Sequence, residues 1–318
     1  MAEVALDTAR PRPDAKLAEI AASLPRRRLA EIVFRVIGLV STTVGLVTLA
    51  ALLINLAWDG VPRLSWEFFT NFPSRRASQA GILSAWVGSL LIILVTAAIS
   101  IPLGTAAGIY LEEYARKNRI TAIIEINVSN LAGVPSIVYG LLALGLFVYG
   151  IGTGRSILTA GLTLALLILP VIIVATRESI RSVPWTIREA AYGLGATKWQ
   201  VTRDHVLPAA LPGILTGIII GLSRAIGETA PLVTIGALSF IAFLPTPPVT
   251  SEPPFVSFQW LFDGFTVLPI QMFNWVSRPG SDFHANAAAA GLVLLVLTLS
   301  LNAVAIVLRY RLRRSLRW

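Results

Sequence analysis

The chain keeps two charges where charges are costly. Residues 213–231 read GILTGIIIGLSRAIGETAP, an apolar run that holds Arg224 and Glu228. An arginine at mid-bilayer costs on the order of 2.5–3.5 kcal/mol on insertion scales. Such a residue either fixes helix register through a buried pair or meets an anion. A guanidinium presents a planar fork of donors that suits tetrahedral oxyanions. The chemistry suggested is therefore binding without bond-making: Arg224 meets an anionic substrate, and Glu228 sets its orientation and charge. As an i,i+4 pair on a helix, Arg-then-Glu is the order less favoured by the helix dipole. Gly213, Gly217 and Gly221 precede the pair at four-residue spacing. On a helix all five positions fall within an arc of roughly 80°. A small-residue stripe marks a packing face, so the two charges are expected to face protein or a cavity rather than lipid.

Three further residues could serve the same path. GVPSIVYG at 133–140 places Ser136 and Tyr139 beside Pro135. Their hydroxyls either donate to a substrate or satisfy backbone groups freed by the proline, and the sequence leaves both readings open. Arg177, in ATRESI, is a second candidate anion contact or an ordinary basic residue at a helix end. GTAAG at 104–108 is a small-residue packing motif common to membrane bundles.

Covalent catalysis has little support. There is no cysteine and there are only two histidines, His205 and His284, far apart in sequence. No metal site and no catalytic residue is expected. The Walker A pattern is absent, as is any Gly-Lys dipeptide, so this chain carries no P-loop ATPase. Neither G-x-S-x-G nor H-E-x-x-H occurs.

The elements that must hold these residues are membrane helices. Of 318 residues, 55% are hydrophobic and 14% charged, and mean hydropathy is +0.74. A soluble protein could not cover that much apolar surface. Apolar runs near 20 residues predict an all-α polytopic membrane protein with six spans, at about 36–58, 84–111, 122–149, 157–176, 209–241 and 287–308. Of the 26 Lys and Arg residues, 20 fall in the segments 1–35, 112–121, 177–208 and 309–318, and five on the other side. This bias predicts that both termini are cytoplasmic and explains most of the net charge of +9, including the basic tail RYRLRRSLRW. Residues 1–35 read as a polar tail, disordered or lying on the surface, and the first span as a retained helix. The domain reading is this tail, then 36–83 with the first span and an external loop, then a transmembrane domain over 84–308, and the tail 309–318. The fifth span is too long: 33 helical residues reach about 50 Å against a hydrocarbon core of roughly 30 Å. Pro231 is expected to break it, because its ring excludes a bond to the Gly227 carbonyl. Pro102, Pro135 and Pro170 add further breaks, which survive in a membrane only where protein or a wet cavity satisfies the backbone.

The segment SVPWTIREAAYGLGATKWQVTRDHVLP, within which 184–208 forms the loop proper, reads as two short helices. Pro184 suits a first turn, Gly193 and Gly195 end the first helix, and Thr197 with Gln200 forms a capping box for the second. Helices this short are marginal alone and need a partner surface. A helix-turn-helix reading is set aside because the segment is tethered between two spans, and no nucleic-acid partner is expected.

This loop resembles the signature of binding-protein-dependent ABC importer permeases: E-A-A, three residues, Gly, nine residues, Ile-x-Leu-Pro. The matching positions are Glu189, Ala190, Ala191, Gly195, Leu207 and Pro208, and His205 stands where the family usually has Ile. GVPSIVYG and SRAIGETAP are similar to the phosphate branch of that family, and the resemblance covers about residues 80–308. It implies a type I ABC importer permease fold in a prokaryotic plasma membrane. It also implies a second permease subunit, a dimer of ATPase subunits docked on the loop, an extracytoplasmic phosphate-binding protein, and phosphate as cargo. ATP and Mg would sit on the ATPase subunits, with no cofactor in this chain and lipid around it. The alternatives are an importer of another oxyanion such as molybdate or sulfate, an anion transporter that works without ATP, and a membrane scaffold or signalling protein.

Overall fold

The computed structural model describes residues 13–249 and 255–315. The helices, in order, are α1 (Pro13–Gly60), α2 (Trp66–Thr70), α3 (Leu83–Ile109), α4 (Arg119–Leu131), α5 (Ser136–Ala143), α6 (Ile157–Arg181), α7 (Trp185–Gly193), α8 (Lys198–Gln200), α9 (Leu207–Gly227), α10 (Ala230–Thr234), α11 (Leu268–Val276) and α12 (Ser281–Ser315). Among the described residues five helices are long and apolar enough to cross a membrane, or six if α4 and α5 together form one bent span. The chain divides into two compact units, at Asn55/Leu56.

In the first unit, α1 begins at Pro13 rather than near residue 36. The described part of the expected polar tail is therefore helical and not disordered. Its segment AKLAEIAASL is rich in strong helix formers, which outweighed polarity. Residues 1–12 lie outside the described residues. Leu39, Leu46 and Ile54 are exposed, as suits a lipid-facing helix.

The second unit is organised around α6. Gly104 and Gly108 of α3 would each drive a Cβ into α6, at Ile172 and Thr176, and Gly161 of α6 would do so at Val95 of α3. Matching positions rise together, so these two helices run parallel. On its other side α6 meets α9 antiparallel, with Gly213 at Ser179, Gly217 at Ala175 and Gly221 near Ile168 and Ile172. The glycine stripe is thus a packing face, as expected. Ile92, Leu164, Leu167, Ile168, Ile180 and Ile214 form the core that results. Thr96 donates to Gly161 O at 3.3 Å, using the close backbone approach. A second cluster, around Phe68, Ile82, Leu268 and Trp275, packs α2 and α11 against the start of α3 and α12. α12 is tied to α9 by Ser223 donating to Asn302 at 2.6 Å and by Arg309 donating to Thr216 at 2.8 Å.

The breaks expected in the third and fifth predicted spans are present, whereas those expected at Pro102 and Pro170 are not, since α3 and α6 run through both prolines. The third is not straight: α4 and the segment Ser136–Ile151 meet at 107°. Pro135 takes an extended conformation (φ −54°, ψ 134°) between them, and a proline pushes its predecessor out of the helical region. The fifth span ends at Gly227, and Glu228 is already extended (φ −81°, ψ 123°). Pro231 lies in the first turn of α10, where the missing N–H needs no partner. At the other end, α8 is not a separate helix. Lys198–Gly227 is one helix of 30 residues, carried past Pro208 by a π-helical turn at Val201–Val206. The wider π turn accommodates a ring that would collide with the carbonyl four residues back.

Replacing Gly217 by leucine should force the α6–α9 contact apart and cost about 1–3 kcal/mol. Thermal unfolding in detergent, followed by tryptophan fluorescence, should show a clear drop. Gly45→Leu, with nothing within 4 Å of the added Cβ, should hold or raise the midpoint.

Candidate functional site

The loop first. α7 ends in a left-handed turn at Gly195 (φ 82°), with Gly195 N–H donating to Tyr192 O and Ala196 N–H to Ala191 O. Nothing lies within 4 Å of a Cβ added at Gly195, so the glycine is required by backbone conformation and not by crowding. Thr197 and Gln200 then form the predicted capping box. The E-A-A residues divide between two faces. Glu189 and Ala190 are exposed, while Ala191 is buried against the core. Leu207 packs partly on the same core, and Pro208 is half-buried. Trp185, Leu194 and Trp199 stand outward, Leu194 being 90% exposed. Beside them lies an apolar hollow of about 340 Å³ lined by Ile187, Ala190, Ala191, Leu194, His205 and Ala209. His205 thus occupies the hollow's wall, where the family's usual Ile would make it wholly apolar.

The loop is held by a residue that sequence reasoning passed over. Arg188, adjacent to Glu189, points inward and pairs with Glu113 at 2.8 Å; the two side chains are 6% and 8% exposed. Its Nη1 donates to Val183 O at 2.8 Å, and Nη2, which also meets Glu113, donates to Ile180 O at 3.1 Å, at and just past the end of α6. The guanidinium also lies 5.3 Å from the Trp185 ring. The available signal was the doubled acid Glu112–Glu113 ending a predicted span, since carboxylates there require basic partners nearby.

The intramembrane candidates separate into two places. Arg224 sits on the last turn of α9 with its side chain 40% exposed, and its Nε is 3.9 Å from Glu228. The pair is loose because Glu228 lies beyond the helix end, where i,i+4 geometry no longer holds. No hydrogen bond among the described residues holds the Arg224 guanidinium. Tyr139 lies close enough to feel that charge, but its hydroxyl donates to Leu131 O at 2.9 Å. The tyrosine therefore satisfies the carbonyl freed at the α4–α5 break. Ser136 is half-buried at the start of α5. α5 packs on α10, where a Cβ at Gly140 would meet Thr234 and Pro231, three residues past Glu228.

Arg177 is elsewhere. The register of α9 on α6 sets Arg224 level with about Ile168, nine residues from Arg177, or roughly 14 Å at 1.5 Å per residue. Arg177 is 9% exposed and pairs with Glu125 at 2.8 Å and with Glu112 at 3.5 Å. Arg181 grips Glu112 with two bonds of 3.1 and 2.9 Å. A hollow of about 670 Å³ borders this cluster at the α3–α4 turn and does not include Arg224. Among the described residues no three His, Cys, Asp or Glu side chains are placed to hold a metal.

Residues 100–318 match the family described as binding-protein-dependent transport system inner membrane component. The chain belongs to that family. Its relatives include the probable ABC transporter permease protein YqgI of Bacillus subtilis (strain 168), 34% identical over 256 residues, covering 77% of this chain and 85% of that one. The phosphate transport system permease protein PstA 1 of Mycobacterium tuberculosis (strain CDC 1551 / Oshkosh) is 36% identical over 216 residues, 66% and 70% of the two chains. PstA of Pasteurella multocida (strain Pm70) is 32% identical over 260 residues, 80% and 89%. Among solved structures, the fold is shared with the inward-facing MetNI methionine ABC transporter (TM-score 0.53, 18% identity, 73% of this chain and 94% of that one). It is also shared with a bacterial ABC transporter for the acidic polysaccharide alginate (TM-score 0.55, 14% identity, 93% and 98%). The fold is that of ABC importer permeases, and the chain is a multi-pass membrane protein.

The two arginines should respond differently to neutralisation. Arg177→Gln leaves Glu112 and Glu125 facing each other without their shared cation. It should destabilise toward the lower end of the about 3–5 kcal/mol typical of a broken buried pair, since Glu125 is partly solvated. Arg224→Gln should cost under about 1 kcal/mol. Unfolding midpoints of the two purified variants, measured side by side, check the ranking.

Proposed function

We propose that this chain is the membrane-spanning half of an ATP-driven inorganic phosphate importer. The observation that carries the reading is the continuous helix Lys198–Gly227, which begins in the exposed loop and ends at the loosely partnered Arg224. Displacement of the loop is therefore passed along one helix toward the arginine. In this reading the loop and both termini are cytoplasmic in a prokaryotic plasma membrane, as the charge bias requires.

The chain itself catalyses no reaction. A dimer of ATPase subunits carries ATP and Mg, and one of them seats on the loop with Glu189, Ala190 and the apolar hollow as its contact. A second permease subunit supplies the other half of the path, and an extracytoplasmic binding protein delivers phosphate. Closure of the ATPase dimer displaces the loop, the helix Lys198–Gly227 follows, and the path opens outward. Phosphate meets the Arg224 fork. At neutral pH phosphate still carries a P–OH donor, which the Glu228 carboxylate can accept. Fully deprotonated sulfate or molybdate offers no such donor and is repelled. Hydrolysis and release return the loop and reopen the inner side. The PstA relatives, with their stated phosphate role, support this choice of anion.

In the assembled importer, Arg224→Gln should lower phosphate uptake at least a hundredfold while the complex still forms; unchanged uptake would remove the arginine from the path. Glu228→Gln should narrow the preference for phosphate over sulfate, read as competition against radiolabelled phosphate. Uptake of molybdate or sulfate by the wild-type complex in place of phosphate would transfer the reading to that anion. Gly195→Val strains a left-handed turn by about 1–2 kcal/mol. It should cut co-purification of the ATPase subunits, and intact co-purification with normal coupling would remove the docking role of this turn.

A further inference from the structure

We propose that the adjacent carboxylates Glu112 and Glu113 form a mechanical joint, passing displacement of the 184–208 loop sideways to α4; this rests on the transport reading above. The helix Lys198–Gly227 carries loop motion along its own axis. The joint would carry it to the other arm of the path, the bent pair α4–α5.

The two glutamates sit where α3 widens into a π turn, Tyr110–Tyr114. Widened turns of this kind recur at functional sites. Successive helical side chains diverge by roughly 100°, so two neighbouring carboxylates cannot serve one partner. Here they serve different partners. Glu113 faces the loop and receives Arg188 through two bonds of 2.8 and 3.3 Å. The same guanidinium holds the carbonyls of Ile180 and Val183, at and just past the end of α6. Next to it, the Lys198 ammonium lies 5.0 Å from the Tyr114 ring, so the second half of the loop also rests on this turn. Glu112 serves the end of α6. It binds Arg181 and lies 3.5 Å from Arg177, whose second nitrogen reaches Glu125 of α4 at 2.8 Å. α4 leads at 107° into the segment that carries Tyr139 and packs on α10, next to Glu228.

A path of charges therefore runs from Arg188 through Glu113 and Glu112 to Arg177 and Glu125. Its inner member, the Arg188–Glu113 pair, is almost fully buried. Its outer member, Glu125, has a side chain 35% exposed and can separate from Arg177 with water replacing the lost partner. That gradient suits a joint: fixed at the loop, releasable at α4. Arg188 and Glu113 are positioning residues that touch neither substrate nor nucleotide.

The test uses the complete importer, with second permease, ATPase subunits and binding protein, in proteoliposomes. Phosphate uptake by the wild-type complex is established first. Its failure would overturn the transport reading, whatever becomes of the joint. The chain has no cysteine, so single spin labels can be placed at the exposed positions Trp199→Cys, on the loop side, and Ile126→Cys, on α4. With the joint intact both labels should shift on addition of a non-hydrolysable ATP analogue. In Glu113→Gln the loop label should still shift while the α4 label does not. Phosphate moved per ATP hydrolysed should fall at least tenfold. The exchanged pair Glu113→Arg with Arg188→Glu tests rescue where it assembles, and should regain uptake to within about threefold. The proposal is overturned if both labels still shift together in Glu113→Gln. It is equally overturned if uptake and ATP hydrolysis fall in parallel with the amount of assembled complex, as a purely structural pair requires.

Discussion

Backbone-to-backbone approach along α6 is the constraint on which the rest of this unit depends. In a bilayer, apolar side chains gain little by leaving lipid for protein, so helix association rests on close van der Waals packing and on polar groups that find partners. α6 has one neighbour at glycine distance on each of two faces, α3 and α9. α3 delivers Glu112 and Glu113 to the end of α6, and α9 delivers Arg224 about 14 Å away along it. A methyl group at Gly108 or Gly217 would displace one of these helices, and with it one of the two charge sites.

The backbone breaks are placed with equal economy. Carbonyls at two of the breaks are met by protein: that of Leu131 by Tyr139 and the Val134 N–H, those of Val183 and Ile180 by Arg188. A membrane-embedded chain cannot leave such groups to lipid. Two readings follow from this accounting. Tyr139 is committed to the fold, and the α4–α5 bend is a fixed feature. Glu228, by contrast, leaves the helix just where Arg224 ends it, so the acid and the base share a region without satisfying one another.

That difference separates the arginines functionally. Arg177 is buried between two carboxylates that offset its charge. Arg224 has a loose partner and open donors. A permease needs a cation that binds weakly enough to release, and a paired, buried guanidinium cannot do this. The arginine cluster near Arg177 instead ties the end of α6 to Glu112 and Glu125.

Sequence alone determined the class, the packing role of Gly213, Gly217 and Gly221, the turn at Gly195 and the cap at Thr197. Each depends on local chemistry: hydrophobic length, helical spacing, φ > 0 and side-chain reach. The position of Arg224 on a long apolar helix was legible for the same reason. What only the tertiary structure decided was partnership across elements. Nothing in residues 112–113 names Arg188 or Arg181 as partners, because 75 and 69 positions of chain lie between them and only the parallel packing of α3 on α6 closes that distance. The form that the chain takes at Pro208, Pro135 and Pro231 was undecided likewise. A proline forbids one hydrogen bond, but whether the helix widens, bends by 107° or stops depends on what the surrounding helices can satisfy.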